Sequence, residues 1–357
     1  MSATVFDNPW LKGLFADPDM AAILSPERSL THMLAFEAAW SRACGKAGLF
    51  DAAEAEAAAQ AITGAHIDLD DLAEGTAQDG VPVPRLVRQL KQHAPATAIH
   101  RGATSQDVMD TALVLALRDV SDLVASRLDT ICGLLDDLDE RFGAAPLIGR
   151  TRMQAATQIT VHDRLLTWRT PLEGHKTRLA EIRPRVERVQ IGGASGDRLA
   201  LGPQGDAIAA DVAAALGLFP TTKAWHAMRE GIAEYATWLS LVSGSLGKLG
   251  QDVALMAQQG IEEIALSGTG GSSAMPHKQN PVAAELLVTL ARFNAVQVSA
   301  MHHAMIHEQE RSGAAWSLEW MVLPQMLMAT ARATGVATKL CQSIDRIGAP
   351  PTAQRHL

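Results

Sequence analysis

The 357 residues carry 31 Lys and Arg against 39 Asp and Glu, a formal net charge of −8. That balance argues against a nucleic-acid-binding surface, although it leaves room for a local cationic pocket. Aromatics are scarce and Ala and Leu plentiful, which favours helix over sheet. Cys44, Cys132 and Cys341 are an odd, widely spaced set that reads as reduced thiols rather than a metal or disulfide framework. No apolar run is expected to approach the roughly 20 residues a bilayer span needs. The N-terminus lacks a basic-then-apolar leader, so residence in the cytoplasm is the expectation.

In chain order, residues 1–103 are expected to form an N-terminal helical domain and residues 104–345 a central bundle of long helices. Residues 346–357 would be a short tail. Leu113, Leu117, Val120, Val124, Leu128, Ile131, Leu135, Leu138 and Phe142 recur at threes and fours. They predict one helix over 104–142, roughly 58 Å long. Thr104 followed by Asp107 suits a capping box at its start. Residues 157–189 predict a second helix, bent at Pro171 and Pro184. A third pattern runs through Ile232, Ala236, Leu239, Val242, Leu246, Leu249, Val253 and Met256. Gly244 and Gly247 inside it predict close helix–helix contact. Helices over 283–309 and 316–344, the latter bent at Pro324, complete an all-α chain. Helices with apolar residues on more than one face need partners on more than one side, which implies a bundle shared between subunits.

Residues 268–283, GTGGSSAMPHKQNPVA, carry the densest chemistry. Gly268, Gly270 and Gly271 allow tight backbone, and Pro276 and Pro281 brace it. Ser272 and Ser273 bring hydroxyls, Lys278 a point charge, and Asn280 a donor and an acceptor. This is the make-up of an anion-binding active-site loop. It resembles the Gly-Ser-Ser-x-Met-Pro-x-Lys-x-Asn-Pro signature of the fumarase/aspartase superfamily at every fixed position, Met275 included. The resemblance implies a long-helix bundle forming a homotetrameric core, with active sites assembled from three chains. It also implies Ser272 and Lys278 as catalytic residues, with Ser273, Met275 and Asn280 binding substrate. Members usually continue into a small helical third domain. Here the last helix is expected to end near Arg346, which would leave that domain missing or vestigial.

His100-Arg-Gly-Ala-Thr-Ser-Gln-Asp107 places two hydroxyls at a helix start, where free N–H groups and the dipole favour an anion. Ordinary N-capping by Thr104 would serve equally well. The segment is similar to the superfamily's first shared region. That similarity implies a substrate carboxylate on Thr104 and Ser105, with His100 counted among the catalytic residues. His100 could instead hydrogen-bond loop backbone.

Gly149-Arg-Thr-Arg-Met-Gln154 resembles the second region, Gly-x-Thr-His-x-Gln, except that Arg152 stands in the histidine's place. In the superfamily's C–N lyases that histidine is assigned to protonating the nitrogen leaving group. Arginine does not release its proton near neutral pH, and its fork suits carboxylate binding instead. Expelling an amine needs a general acid, whereas a carboxylate, with a conjugate-acid pKa of about 4, leaves unaided. Arg152 and Gln154 therefore read as substrate-binding residues, together with Arg311. Within the superfamily this fits the lactone-forming cycloisomerase branch, which acts on a tricarboxylate without a cofactor. Segments 80–88, 100–119, 225–229 and 310–316 resemble that branch too. A C–N lyase and a non-catalytic helical assembly protein are the alternatives.

His303 and His307 have the i, i+4 spacing of a two-histidine metal site but no evident third ligand, so no metal is expected. His226 and Arg229 could line the pocket or could cap and pair at a helix start. Trp316 and Trp320 read as core or interface aromatics.

Overall fold

The computed structural model describes residues 4–268, 270, 271, 275 and 279–349. Six helices lead in: α1 (Lys12–Phe15), α2 (Pro18–Ile23), α3 (Pro26–Lys46), α4 (Ala52–Thr63), α5 (Leu69–Asp79) and α6 (Val83–His93). Then comes α7 (Ser105–Phe142), followed by the hairpin of β1 (Pro146–Thr151) and β2 (Gln154–Thr160), and by α8 (Val161–Val186). The chain continues through α9 (Gly205–Leu216), α10 (Glu230–Met256) and β3 (Ile264–Leu266). It closes with α11 (Val282–His303), α12 (Ala314–Gln342) and β4 (Ile344–Ile347), the last antiparallel to β3.

The longest helix begins where the capping pattern puts it: Thr104 N–H donates to Asp107 Oδ2 at 3.0 Å. At 38 residues, α7 spans about 57 Å. Its first three turns are buried nearly all round, while its second half buries only a stripe of Val124, Leu128, Ile131, Cys132, Leu135 and Leu138. All eight apolar positions read in α10 are buried. That helix packs against α8, α11 and α12, and α7 lies along α8 and α12. A Cβ on Gly247 would stand 2.5 Å from Ala291 Cβ, so glycine here does permit the close approach of α10 and α11. Gly244 faces open space and has no such role in the single chain. Buried Asn294 donates to Ser243 Oγ at 3.1 Å and Thr330 Oγ1 at 2.9 Å, tying α10, α11 and α12 at one level.

Three expectations need correcting. Residues 157–160 are strand, not helix, because Thr160 caps α8 and its hydroxyl accepts from Asp163 N–H at 3.2 Å. The last helix stops at Gln342, and residues 344–347 turn into a strand instead of running on to Arg346. Among the described helices, α11 is long and apolar enough by length and composition to cross a bilayer, against the expectation that no run approaches that. Glu285 and Arg292 interrupt it, Leu286, Leu287 and Leu290 pack inward, and Val296 on the opposite side is 73% exposed. The three cysteines are all buried, and burial raises each thiol's pKa to about 12.

One buried histidine should make the fold sensitive to acid. His175 Nε2 and Ser245 Oγ lie 2.8 Å apart between α8 and α10. Burial, reinforced by the Arg178 charge, pushes the imidazole down to about 4. The unfolded chain takes up this proton near pH 6.5. The neutral-histidine contribution is therefore complete above pH 6.5 and is lost as pH falls from there through 4, by about 3 kcal/mol. Urea unfolding of His175→Gln should show an acid-side loss shallower by that amount. An unchanged pH dependence would assign the acid sensitivity to other groups.

Candidate active site

The start of α7 is the meeting point of three loops, and buried Asp107 holds them. Its carboxylate accepts Thr104 N–H, Gly192 N–H at 2.9 Å and Gly193 N–H at 3.0 Å, and lies 2.8 Å from His226 Nε2. Arg311 clamps the same loops from outside. Its Nη1 donates to Thr104 Oγ1 at 3.0 Å, and its Nη2 donates to the carbonyls of Gly193 and Ala194 at 3.3 and 3.1 Å. Arg311 and Thr104 are therefore joined directly, and Ser105 follows as the first residue of α7. His100 sits one turn before them with a left-handed φ of 55°. It does not bond loop backbone through Nδ1, which meets Glu37 Oε1 at 2.5 Å. Burial opposes its protonation, but the Glu37 charge and hydrogen bond, aided by Asp107, outweigh that and raise its pKa.

Beneath this surface Arg229 is 2% exposed and committed to structure. It donates to Asp110 at 2.7 and 3.1 Å and to Glu319 at 2.8 and 2.5 Å, and it stacks on Trp225 with 4.8 Å to the ring centroid. Burial disfavours the Glu319 carboxylate, but Arg229 more than compensates and lowers its pKa. Trp316 Nε1 also donates to Asp110, at 3.2 Å, which makes it a core residue with a polar partner. The i, i+4 reading of His303 and His307 lapses, because α11 ends at His303 and His307 lies in the following loop, 3.7 Å from Glu319. Among the described residues, no cluster of three or more His, Cys, Asp or Glu could hold a metal.

The Gly149–Gln154 segment and the described ends of the glycine-rich segment lie at the other end of the bundle. Arg152 and Met153 form the two-residue turn between Thr151 and Gln154, with φ of 51° and 68°. A two-residue hairpin turn of this kind favours Asn and Gly, so two bulky residues in left-handed backbone represent stored strain. Arg152 is exposed and has no ion-pair partner among the described residues, while Gln154 is exposed beside it on β2. Arg150 anchors the hairpin through both oxygens of buried Glu263, each at 2.6 Å. The described ends of the glycine-rich segment pair with each other. Gly270 N–H donates to Asn280 O at 3.0 Å, and Asn280 N–H donates back to Gly270 O at 2.9 Å. Of the three loop glycines only Gly268 has positive φ, whereas a Cβ on Gly270 would strike Val282 at 2.7 Å. Asn280 Nδ2 reaches Gly271 O at 3.5 Å, and Met275 is 43% exposed. Ser272, Ser273 and Lys278 lie outside the described residues.

A single chain thus keeps its two groups of site residues apart. His100, Thr104, Ser105 and Arg311 stand at the N-terminal end of α7. Arg152 and Gln154 lie beyond its C-terminal end, and the glycine-rich loop leads into α11 at that same end, roughly the 57 Å of α7 away. The sequence did not reveal Glu37 as the partner of His100, nor Asp107 as a hub beyond its cap.

A long-helix bundle with polar, glycine-containing loops at both ends defines a class. The lyase family's profile matches residues 16–297, and the chain belongs to that family, the fumarase/aspartase superfamily. It is 39% identical over 347 residues to the 3-carboxy-cis,cis-muconate cycloisomerase of Pseudomonas aeruginosa, covering 95% of this chain and 76% of that protein. The crystal structure of the 3-carboxy-cis,cis-muconate lactonizing enzyme from Pseudomonas putida superposes with a TM-score of 0.88 at 35% identity, covering 95% of this chain and 77% of that one. The N-acetyl-S-(2-succino)cysteine lyase of Enterococcus italicus is 33% identical, covering 91% of this chain and 73% of its own length.

Proposed function

We propose that this chain is a cofactor-free cycloisomerase that converts 3-carboxy-cis,cis-muconate to 4-carboxymuconolactone, a step of the protocatechuate branch of the β-ketoadipate pathway. The observation that carries the reading is Arg152. It occupies the position where C–N lyases of the superfamily have an acidic histidine, and it is a guanidinium with no ion-pair partner among the described residues, on a strained, exposed hairpin tip. The names of the relatives support the same assignment.

In the ring-closing direction one substrate carboxylate attacks the β-carbon of the neighbouring double bond. The carbon–oxygen bond forms as the π pair moves toward the adjacent carbon and its carboxylate, giving an enediolate-like species. A proton then adds to that adjacent carbon. Ser272 is the proton carrier in this account, with its oxyanion stabilised by Lys278 and the loop amides. Arg152, Arg311 and the α7 helix start bind the three carboxylates. Loss of the Arg152 fork should therefore weaken binding more than chemistry. Arg152→Ala should raise KM roughly 10–100-fold with a smaller change in kcat.

A homotetramer would bring one chain's helix start to another's hairpin and a third's glycine-rich loop. The exposed apolar side chains of Val296 on α11 and Met321 on α12 are suited to such an interface. Two variants impaired in different regions should then complement each other. Assayed at low substrate after co-refolding, a mixture of Thr104→Val and Arg152→Ala should turn over faster than either variant alone. A mixture no faster than its parts would contradict a site shared between subunits.

A further inference from the structure

Helix α3 turns three side chains of one face toward the segment that carries His100. Glu37 meets His100 Nδ1 at 2.5 Å, Ser41 Oγ donates to Ala98 O at 2.7 Å, and Trp40 Nε1 donates to Arg101 O at 3.2 Å. Spaced three and four apart, they share one stripe of the helix. Glu37 is fully buried, and its second oxygen, Oε2, has no hydrogen-bond partner among the described residues. A carboxylate so placed is costly unless a cation answers it. The His100 side chain is 16% exposed, so the same ring that meets Glu37 also reaches the surface. A turn closed by Ala103 N–H on His100 O at 3.3 Å brings it back beside the start of α7. Holding its backbone at φ 55° costs energy that ordinary loop packing would not require.

We propose that Glu37 is a positioning residue that holds His100 as an imidazolium beside Thr104 and Ser105, where His100 binds one carboxylate of the substrate. His100 is then a fixed cation of the pocket, not the group that moves the proton. This rests on the polycarboxylate reading above. The charged groups around the ring are Glu37 from α3, Asp107 from α7 and Lys91 from α6, the first two favouring protonation and the third opposing it. An imidazolium here would let a neutral-pH pocket bind a third carboxylate with only two arginines, Arg152 and Arg311, in its wall.

The test is Glu37→Gln, which keeps shape and an acceptor but removes the charge. With His100 less easily protonated, kcat/KM on 3-carboxy-cis,cis-muconate should fall about tenfold at pH 8 and less than about twofold at pH 6, chiefly through KM. Parent-like KM at pH 8, or an equal loss of kcat at both values, would overturn the proposal. Histidine NMR separates it from the assignment of substrate. The chain has twelve histidines, so His100→Asn identifies the resonance. In the parent that resonance should titrate above 6.5 and shift when tricarballylate is added. It should move to lower pH in Glu37→Gln. If the parent ignores the muconate, these resonances still decide the pair. If Glu37→Gln fails to fold, the parent's titration and its response to tricarballylate decide it. A His100 that titrates at or below 6.5, or that ignores tricarballylate, refutes the imidazolium.

Discussion

Ser272→Ala should lose turnover by roughly 10³-fold while KM, unfolding and subunit assembly stay close to the parent. Ring closure leaves negative charge on the carbon next to the new carbon–oxygen bond, and the reaction completes only when a proton arrives there. A serine hydroxyl gives up a proton poorly in water, so its usefulness depends on donors already aimed at the oxyanion. Lys278, six residues on, and the amides of a loop pinched at Gly270 and Asn280 supply them in this account. Alanine removes the proton and leaves those donors in place, so binding should survive. Turnover within about tenfold of the parent would remove serine from the mechanism and leave water or a different side chain to protonate carbon.

The second large effect concerns stability. Arg229→Met should destabilise the fold by about 3–5 kcal/mol, because it leaves two carboxylates, Asp110 and Glu319, buried without their cation. The cost of removing one partner exceeds what the intact pair contributes over an apolar replacement. These two carboxylates join α7 to α12 directly beneath Thr104 and Arg311, so activity should fail together with stability. Denaturant unfolding reads the loss. A change below about 1 kcal/mol would mean that the carboxylates take up protons or water without penalty.

How much of this was legible from sequence depended on the range of each interaction. The faces of α7 and α10 could be read because threes and fours of apolar residues are local facts; all the positions read are buried except Leu113 and Phe142, which pack partly buried against the core. The hairpin at 146–160 was missed. β2, QAATQIT, is exposed along most of its length and so lacks the alternation of a half-buried strand. Its turn has no glycine or asparagine to announce it. Arg229 and His226 could be read as pocket or as pairing residues, and the deciding partners, Asp110, Glu319 and Asp107, lie about a hundred positions away in sequence. Glu37 looked like any acidic residue on a helix until its 63-residue contact with His100 was in view. The fold class and the family were readable because the glycine-rich segment is contiguous. The separation of the candidate residues into two groups follows from the course of α7 between them.

The most direct measurement is a pair of incubations with the purified protein. One contains 3-carboxy-cis,cis-muconate, followed by loss of its diene absorbance and by NMR of the product. The other contains adenylosuccinate, followed by release of fumarate. An arginine at position 152 predicts rapid loss of the diene with formation of a lactone, and no fumarate. An untouched diene alongside steady fumarate release would contradict the account, because it would require an amine to leave without the acid that position 152 lacks.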